Sequence, residues 1–167
     1  MNTNAQSRSA SIAIGIEQDI LPYLTGGYFL AAWAGQDHLR ARAVMASVHK
    51  PDWIVADGFT NNQVKAYAIL GDYFLKEDWK GWWLGGGFVY WDSSIQSDAQ
   101  LSTVRYQNVL LNGSVGYSWK FSKHFYVSPW AGMHLRVGGD TDVVVDGKHF
   151  TPPLLNPEAS VKIGYSF

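Results

Sequence analysis

Residues 158–167, which close the chain, alternate between two kinds of side chain. Apolar residues occupy one parity: Ala159, Val161, Ile163, Tyr165 and Phe167. Small or charged residues occupy the other: Glu158, Ser160, Lys162, Gly164 and Ser166. Because successive side chains of a β-strand point to opposite faces, a period of two places one set on each face. The segment therefore predicts a β-strand that has one apolar and one polar face and ends in an aromatic residue.

The same pattern of extended segments runs through the whole chain. Eight such segments are predicted, at 9–19, 27–34, 38–48, 64–75, 81–91, 104–119, 124–137 and 158–167. The connections between them alternate, short at 35–37, 76–80 and 120–123 and longer at 20–26, 49–62, 92–103 and 138–156. Transmembrane β-barrels have an even number of strands, short periplasmic turns and longer extracellular loops. The pattern predicts an all-β fold, an eight-stranded antiparallel up-and-down transmembrane β-barrel.

Composition agrees with a barrel and with one domain. The 167 residues are 15% aromatic, include 17 Gly and no Cys, and carry a net charge of -1. No apolar run approaches the roughly 18 residues that mark a membrane helix. A barrel hides its hydrophobicity in alternation, so the mean hydropathy of -0.11 is no objection. We expect residues 1–8 to be a disordered segment after signal removal and 9–167 to form the barrel, with no nucleic-acid partner because the net charge is near zero.

The closing strand and the connection lengths resemble the small eight-stranded bacterial outer-membrane barrels, such as the OmpA membrane domain and OmpX. In that family the terminal Phe and the apolar residues that alternate before it are the signal for the barrel assembly machinery. The corresponding residues here are Val161, Ile163, Tyr165 and Phe167. The resemblance implies the outer membrane of a Gram-negative bacterium, both termini in the periplasm, and contact with outer-membrane lipids and lipopolysaccharide. It identifies no extracellular ligand.

Aromatic residues are predicted to form two belts at the headgroup levels, because Trp and Tyr combine an apolar ring with a polar group. The belt at the short turns would contain Trp33, Tyr73, Trp79, Trp82, Trp83, Tyr117, Trp119, Phe125, Tyr165 and Phe167. The belt at the long loops would contain Tyr28, Tyr67, Tyr90, Trp91 and Tyr106. The alternative is that these rings form the core of a soluble β-sandwich. For the topology itself, the alternative is a soluble lipocalin-like barrel.

Charged residues on the inward parity predict two clusters in the lumen. The cluster at the loop end would contain Glu17, Asp19, His134, Arg136 and Glu158, with Lys162 one layer deeper. The cluster at the turn end would contain Arg40, Arg42 and Asp72. The interior of a barrel of this size is filled by side chains, and unpaired charges there are costly. We expect charge networks to fill the lumen, with Arg136 between Glu158 and Glu17. The alternative is that the loop-end cluster binds or gates a molecule that enters from outside.

A catalytic site is the next possibility, because some eight-stranded barrels are lipid A deacylases or palmitoyl transferases that use Ser, His and an acidic residue. His134, Ser160 and Glu158 are the nearest match to this chemistry. The predicted facing turns all three into the lumen, where an acyl chain in the membrane could not reach them. The sequence contains no His-x-Ser motif. An enzyme is therefore the less favoured interpretation.

Carboxylates in the longest connection are candidate calcium ligands. Asp140, Asp142 and Asp146 precede Gly147, but their spacing does not match an EF-hand loop. Asp146-Gly147 is instead typical of a type I′ turn, which predicts a hairpin extending above the membrane. No metal site and no cofactor are predicted.

These patterns predict an integral outer-membrane barrel with a structural or surface-interaction role through its extracellular loops. The alternatives are an outer-leaflet lipid-modifying enzyme, similar to a lipid A deacylase or acyltransferase, and a narrow channel.

Overall fold

The computed structural model describes residues 12–167, which form a closed barrel of eight antiparallel strands and a separate two-stranded hairpin. The strands are β1 (Ala13–Asp19), β2 (Tyr28–Gln36), β3 (Leu39–His49), β4 (Phe59–Phe74), β5 (Gly81–Ser97), β6 (Thr103–Lys120), β7 (Phe125–Gly139), β8 (Val143–Val145), β9 (Lys148–Phe150) and β10 (Leu155–Ser166). Neighbouring barrel strands pair in sequence order, and β10 pairs with β1 to close the ring. The predicted fold is confirmed. The prediction for residues 1–8 lies outside the described residues.

The two ends of the barrel differ in their connections. The turn end carries the connections 37–38, 75–80 and 121–124, and β1 begins and β10 ends there. The loop end carries the connections 20–27, 50–58, 98–102 and 140–154. The predicted connection 92–103 is shorter than expected, because β5 continues to Ser97 and β6 begins at Thr103. In this stretch the side chains still alternate between the two faces, and β5 still pairs with β6. These polar residues therefore extend the barrel wall.

A short helix, α1 (Ile20–Leu24), links β1 to β2 at the loop end. Asp19 caps it, because its Oδ1 accepts a hydrogen bond of 3.1 Å from the Leu21 amide. A 3-10 turn at Asp52–Ile54 lies in the connection between β3 and β4. Within residues 12–167, no helix is long and apolar enough to cross a membrane.

The hairpin of β8 and β9 confirms the predicted turn at Asp146-Gly147, where φ is 48° and 79°. Positive φ at both central residues is the signature of type I′ geometry. The hairpin lies at the loop end and is in contact with the barrel wall, a contact that the sequence did not predict. Its apolar side packs in the mouth of the barrel, in a buried cluster of Val143, Val145, Phe150, Ile95 and Tyr106. Asp146 fixes it there by accepting hydrogen bonds from Ser97 Oγ, at 2.6 Å, and from Ser102 Oγ.

Inward aromatic rings fill the barrel near the turn end, and inward glycines make room for them. A Cβ on Gly164 would lie 2.0 Å from the Tyr126 ring, and one on Gly116 would lie 2.4 Å from the Trp83 ring. Neither separation is sterically possible. The absence of a side chain at these two positions therefore allows the large rings to cross the lumen.

The prediction of two aromatic belts on the outer face is wrong for four of the residues assigned to them. Four lie inside and are buried: Trp33, Trp83, Trp91 and Tyr106. Trp82 and Trp83 are consecutive on one strand, so only one of the two can face outward. Trp82 is the outward one, with 57% of its surface exposed.

Candidate functional site

A buried cluster of ion pairs closes the lumen toward the turn end. It consists of Glu17, Arg40, Arg42 and Asp72, and we call it the charge plug. Arg40 Nη1 donates to Glu17 Oε1 at 2.7 Å, and Arg40 Nε donates to Asp72 Oδ2 at 2.9 Å. Arg42 reaches the same two carboxylates, at 3.3 Å and 2.8 Å. Each carboxylate therefore binds both guanidinium groups, and the formal charges of the plug balance.

Aromatic rings surround the charge plug. The Arg40 guanidinium lies 5.0 Å from the centre of the Phe74 ring and 5.5 Å from that of Trp33. The Tyr126 hydroxyl donates to Glu17 Oε1 at 2.7 Å. These rings contribute cation–π attraction to Arg40 and shield the ion pairs from solvent. Together the plug and the rings obstruct the lumen in its lower half.

One residue of the predicted loop-end cluster lies elsewhere, and a second makes a different contact from the one predicted. Glu17 belongs to the charge plug, because it pairs with Gly164 and so lies well below Glu158 on the neighbouring strand. Arg136 does not lie between Glu158 and Glu17. It stays at the rim of the barrel, where its Nη1 donates to the Asp140 carbonyl at 2.6 Å. The register between β1 and β10 sets the height of Glu17. Arg136 lies beside a bulge, where the pairing of β6 with β7 shifts between Val109 and Leu110.

Asp19 has a structural role at the top of β1. Besides capping α1, its carboxylate accepts a hydrogen bond of 2.7 Å from Trp130 Nε1 and one from Ser160 Oγ. The Ser160 oxygen in turn accepts from the Leu21 amide at 3.3 Å. These contacts fasten the helix to β7 and β10.

The candidate catalytic residues do not form a triad. His134 Nε2 lies 2.8 Å from Glu158 Oε2, which gives a base and an orienting acid. Ser160, however, bonds to Asp19 and not to His134. A serine nucleophile needs the base within hydrogen-bond reach to take its proton. The arrangement has a base without a nucleophile, and all three side chains are directed into the lumen.

The candidate calcium ligands are dispersed. Asp140 accepts from the Gln107 amide at 2.7 Å, Asp142 lies 2.9 Å from His149, and Asp146 holds the hairpin. In the part of the chain that the structure describes, no three His, Asp or Glu side chains come together as a metal site. Hydrogen bonds from Ser102 and Ser97 lower the pKa of Asp146 below its usual value, so this carboxylate is engaged within the protein.

A cavity of about 290 Å³ lies in the lumen above the charge plug, where a filled interior was expected. Its wall on β3, β4 and β5 is apolar and includes Val44, Val64, Ala66, Ala68, Leu70, Val89 and Trp91. Its opposite wall on β6, β7 and β10 is polar and includes Asn112, Ser114, His134, Glu158, Ser160 and Lys162. The small side chains of Ala66 and Ala68 leave the space open. Their inward parity is the sequence signal that could have revealed the cavity.

The mouth of the cavity faces the loop end. Lys50 lies there, with its ammonium 4.6 Å from the centre of the Trp91 ring and 3.4 Å from Asn156 Oδ1. Burial lowers the pKa of Lys50, and the negative charge of Glu158 partly opposes this effect. Residues of α1 and of the 3-10 turn complete the rim.

Comparison with known proteins supports the fold. No family model and no curated protein matches the sequence. The crystal structure of the N-terminal β-barrel domain of Pseudomonas aeruginosa OprF is similar, with a TM-score of 0.63 and 13% identity over 93% of this chain and 97% of that one. Neisserial surface protein A (NspA) gives a TM-score of 0.49 and 11% identity over 95% and 98% of the two chains. The OprF match carries the conclusion. The fold is that of the small outer-membrane barrels.

Proposed function

We propose that the protein is an integral outer-membrane barrel that does not conduct ions and has a structural or surface-interaction role at its loop end. The observation that carries this proposal is an apolar band on the outer face. On β5 the outward side chains Trp82, Leu84, Phe88 and Tyr90 are 57%, 58%, 64% and 37% exposed. The stretch 82–90 has the length of the roughly 9 to 11 residues that cross a bilayer in a β-strand.

Polar residues mark the upper limit of this band. The outward row that contains Tyr67, Tyr90 and Val109 is followed toward the loop end by a row of Lys65, Asp92 and Gln107. A charge in the hydrocarbon layer would be costly, so the headgroup level lies between these rows. Tyr67 and Tyr90 at this edge, and Trp82 and Tyr117 at the other, have the positions of interfacial girdles.

The charge plug argues against the channel alternative. Glu17, Arg40, Arg42 and Asp72 are each at most 4% exposed and bind one another across the lumen. Ion passage would require these pairs to separate in a medium of low dielectric constant. The lipid-modifying alternative is disfavoured by Ser160, which bonds to Asp19 on the inner face.

The loop end is the part available for interactions outside the cell. β5 and β6 rise beyond the apolar band, and the hairpin packs against their inner face. In this orientation the turn end, with the start of β1 and the end of β10, faces the periplasm. The outward residues of β10 are Val161, Ile163 and Tyr165, and Phe167 follows them. During insertion these residues would face the assembly machinery, and after insertion they would face the lipids and lipopolysaccharide.

The test is reconstitution of the purified chain into lipid vesicles and planar bilayers. We expect the folded barrel to float with the vesicles after alkaline extraction and to show no discrete conductance steps. Release from the vesicles would contradict the membrane assignment. Discrete conductance steps in the native protein would contradict the closed lumen. Arg105→Met changes an exposed residue on the outer face and leaves the lumen intact, so its current is the control for non-specific leakage.

A further inference from the structure

The lumenal cavity above the charge plug has the shape and chemistry of a ligand site. We propose that it binds a small amphipathic molecule, with an apolar chain and an anionic head group, that enters from the loop end. The volume of about 290 Å³ is at the lower end of the range for small-molecule sites. It exceeds the about 150 Å³ of an engineered apolar cavity that accommodates benzene.

The apolar wall provides the surface for the chain of the ligand. Val64, Ala68, Val89 and Trp91 line the cavity on β4 and β5, and they belong to one buried hydrophobic cluster. Water in contact with such a wall finds few hydrogen-bond partners. Displacing it with a hydrocarbon chain is favourable because apolar surface is removed from water.

Lys162 supplies the recognition of an anionic group. It is 2% exposed, and its ammonium lies 4.3 Å from the centre of the Trp130 ring and 5.0 Å from that of Trp83. Within residues 12–167 this ammonium makes no salt bridge and no hydrogen bond. Asp19, which also lines the cavity, is already satisfied by its three donors. A buried ammonium without a hydrogen-bond partner is costly, and an anionic head group would remove that cost.

Three further polar atoms on the same wall lack partners. Asn112 Oδ1, Ser114 Oγ and His134 Nδ1 are buried and without a hydrogen bond in the described structure. All three residues line the cavity, above Lys162 on the neighbouring strands. Buried polar atoms in proteins are almost always hydrogen-bonded. Together with Lys162 they make this side of the cavity polar, opposite the apolar wall, and Lys162 marks the deepest point for the head group of a ligand.

The experiment measures decanoate binding by titration calorimetry, with the full chain in phosphatidylcholine nanodiscs and with decanol as the uncharged probe. We expect saturable decanoate binding by the native protein and weaker binding of decanol. Ala68→Phe fills the cavity and should weaken decanoate binding by about tenfold or more, a loss of about 1.4 kcal/mol. The matched control Ala43→Phe places the same ring on the outer face and should bind as the native protein does. Lys162→Met should remove the preference for decanoate over decanol.

Several outcomes would overturn the proposal. Equal uptake by Ala68→Phe and Ala43→Phe would show partition into the bilayer only. Equal affinity for decanol and decanoate, or no effect of Lys162→Met, would refute the anionic head group. A photoreactive decanoate analogue keeps the test independent of folding defects in the variants. Crosslinks in the native protein should fall on inward residues such as Val89, and crosslinks confined to outward residues such as Phe88 would refute a lumenal site.

Discussion

Loss of Arg40 should be among the most damaging single changes in this barrel. Its guanidinium donates to Glu17 at 2.7 Å and to Asp72 at 2.9 Å, and both carboxylates are fully or almost fully buried. Arg40→Met keeps most of the aliphatic length and leaves two carboxylates to share Arg42. Breaking a buried pair costs about 3 to 5 kcal/mol. Two charge-assisted hydrogen bonds at about 1.5 to 3 kcal/mol each give a similar range.

Equilibrium unfolding in urea, with the barrel in lipid vesicles, measures this loss. The matched control is Arg105→Met, because the Arg105 side chain is 71% exposed and lies 3.6 Å from Asp92. An exposed pair of this kind contributes about 0.2 to 1 kcal/mol. Combining Arg40→Met with Asp72→Asn restores the charge balance of the plug. The double variant should therefore lose less free energy of unfolding than the sum of the two single losses, by about 0.5 to 3 kcal/mol.

Two results would refute this reasoning. A loss in Arg40→Met no larger than that in Arg105→Met would mean that the plug does not stabilise the barrel. Strictly additive losses in the double variant would mean that Arg40 and Asp72 do not interact. Because the two side chains are in contact in the charge plug, that result would show that the plug does not form in the membrane.

Three other predictions concern the facing of β-strands, the hairpin and the inward glycines. Leu111→Arg should cost about 2 to 4 kcal/mol of unfolding free energy in vesicles because it places a charge in lipid, whereas Ser160→Arg points into the cavity and should escape that penalty; the opposite ranking would reverse the assigned facing. The pKa of Asp146 is lowered in the fold, so the stabilisation it gives is present above the unfolded value of 3.8 and is lost as the pH falls below it. The protection of the β8 and β9 amides from hydrogen exchange, relative to their intrinsic rates, should therefore fall below that pH, and Asp146→Asn should show reduced protection at neutral pH; protection that does not change with pH or with the variant would contradict the role of Asp146. Gly164→Ala should destabilise by about 1 to 3 kcal/mol because its Cβ would meet an inward tyrosine ring, whereas Gly113→Ala has no atom within 4 Å of the new Cβ and should be near neutral; equal losses in urea unfolding would contradict the packing of that ring.

The architecture could be predicted because it depends on a pattern that is local in sequence. Alternation with a period of two assigns each side chain to a face, as it does for Val161 and Lys162 on β10. The turn at Asp146-Gly147 was likewise predictable, since two residues that tolerate positive φ are sufficient to specify it. These features need no knowledge of other strands.

The candidate site could be predicted only in part, because it depends on register between strands. Parity correctly turns Glu17 and Arg136 inward, but it does not state their heights. The pairing of Glu17 with Gly164 brings it to the charge plug, and Arg136 remains at the rim beside Asp140. Pairing of neighbouring strands decides both positions, and neither strand contains that information alone.

The cavity was missed because its volume results from many side chains together. Ala66 and Ala68 face inward at the level where other strands place Val89 and Trp91, and their small size leaves the centre of the lumen empty. The sequence shows each alanine. Only the closed ring shows that no side chain from the opposite wall fills the gap.

The most direct test of the central claim is the depth of two adjacent residues on β6, Leu111 and Asn112. Leu111 is 39% exposed on the outer face and Asn112 is 8% exposed in the lumen. The chain has no Cys, so Leu111→Cys and Asn112→Cys each carry a single fluorescent label. In vesicles with brominated acyl chains, we predict strong quenching of the label at 111 and little quenching at 112. Equal quenching at both positions, or accessibility of position 111 to a water-soluble thiol reagent, would contradict a lipid-embedded barrel with this facing.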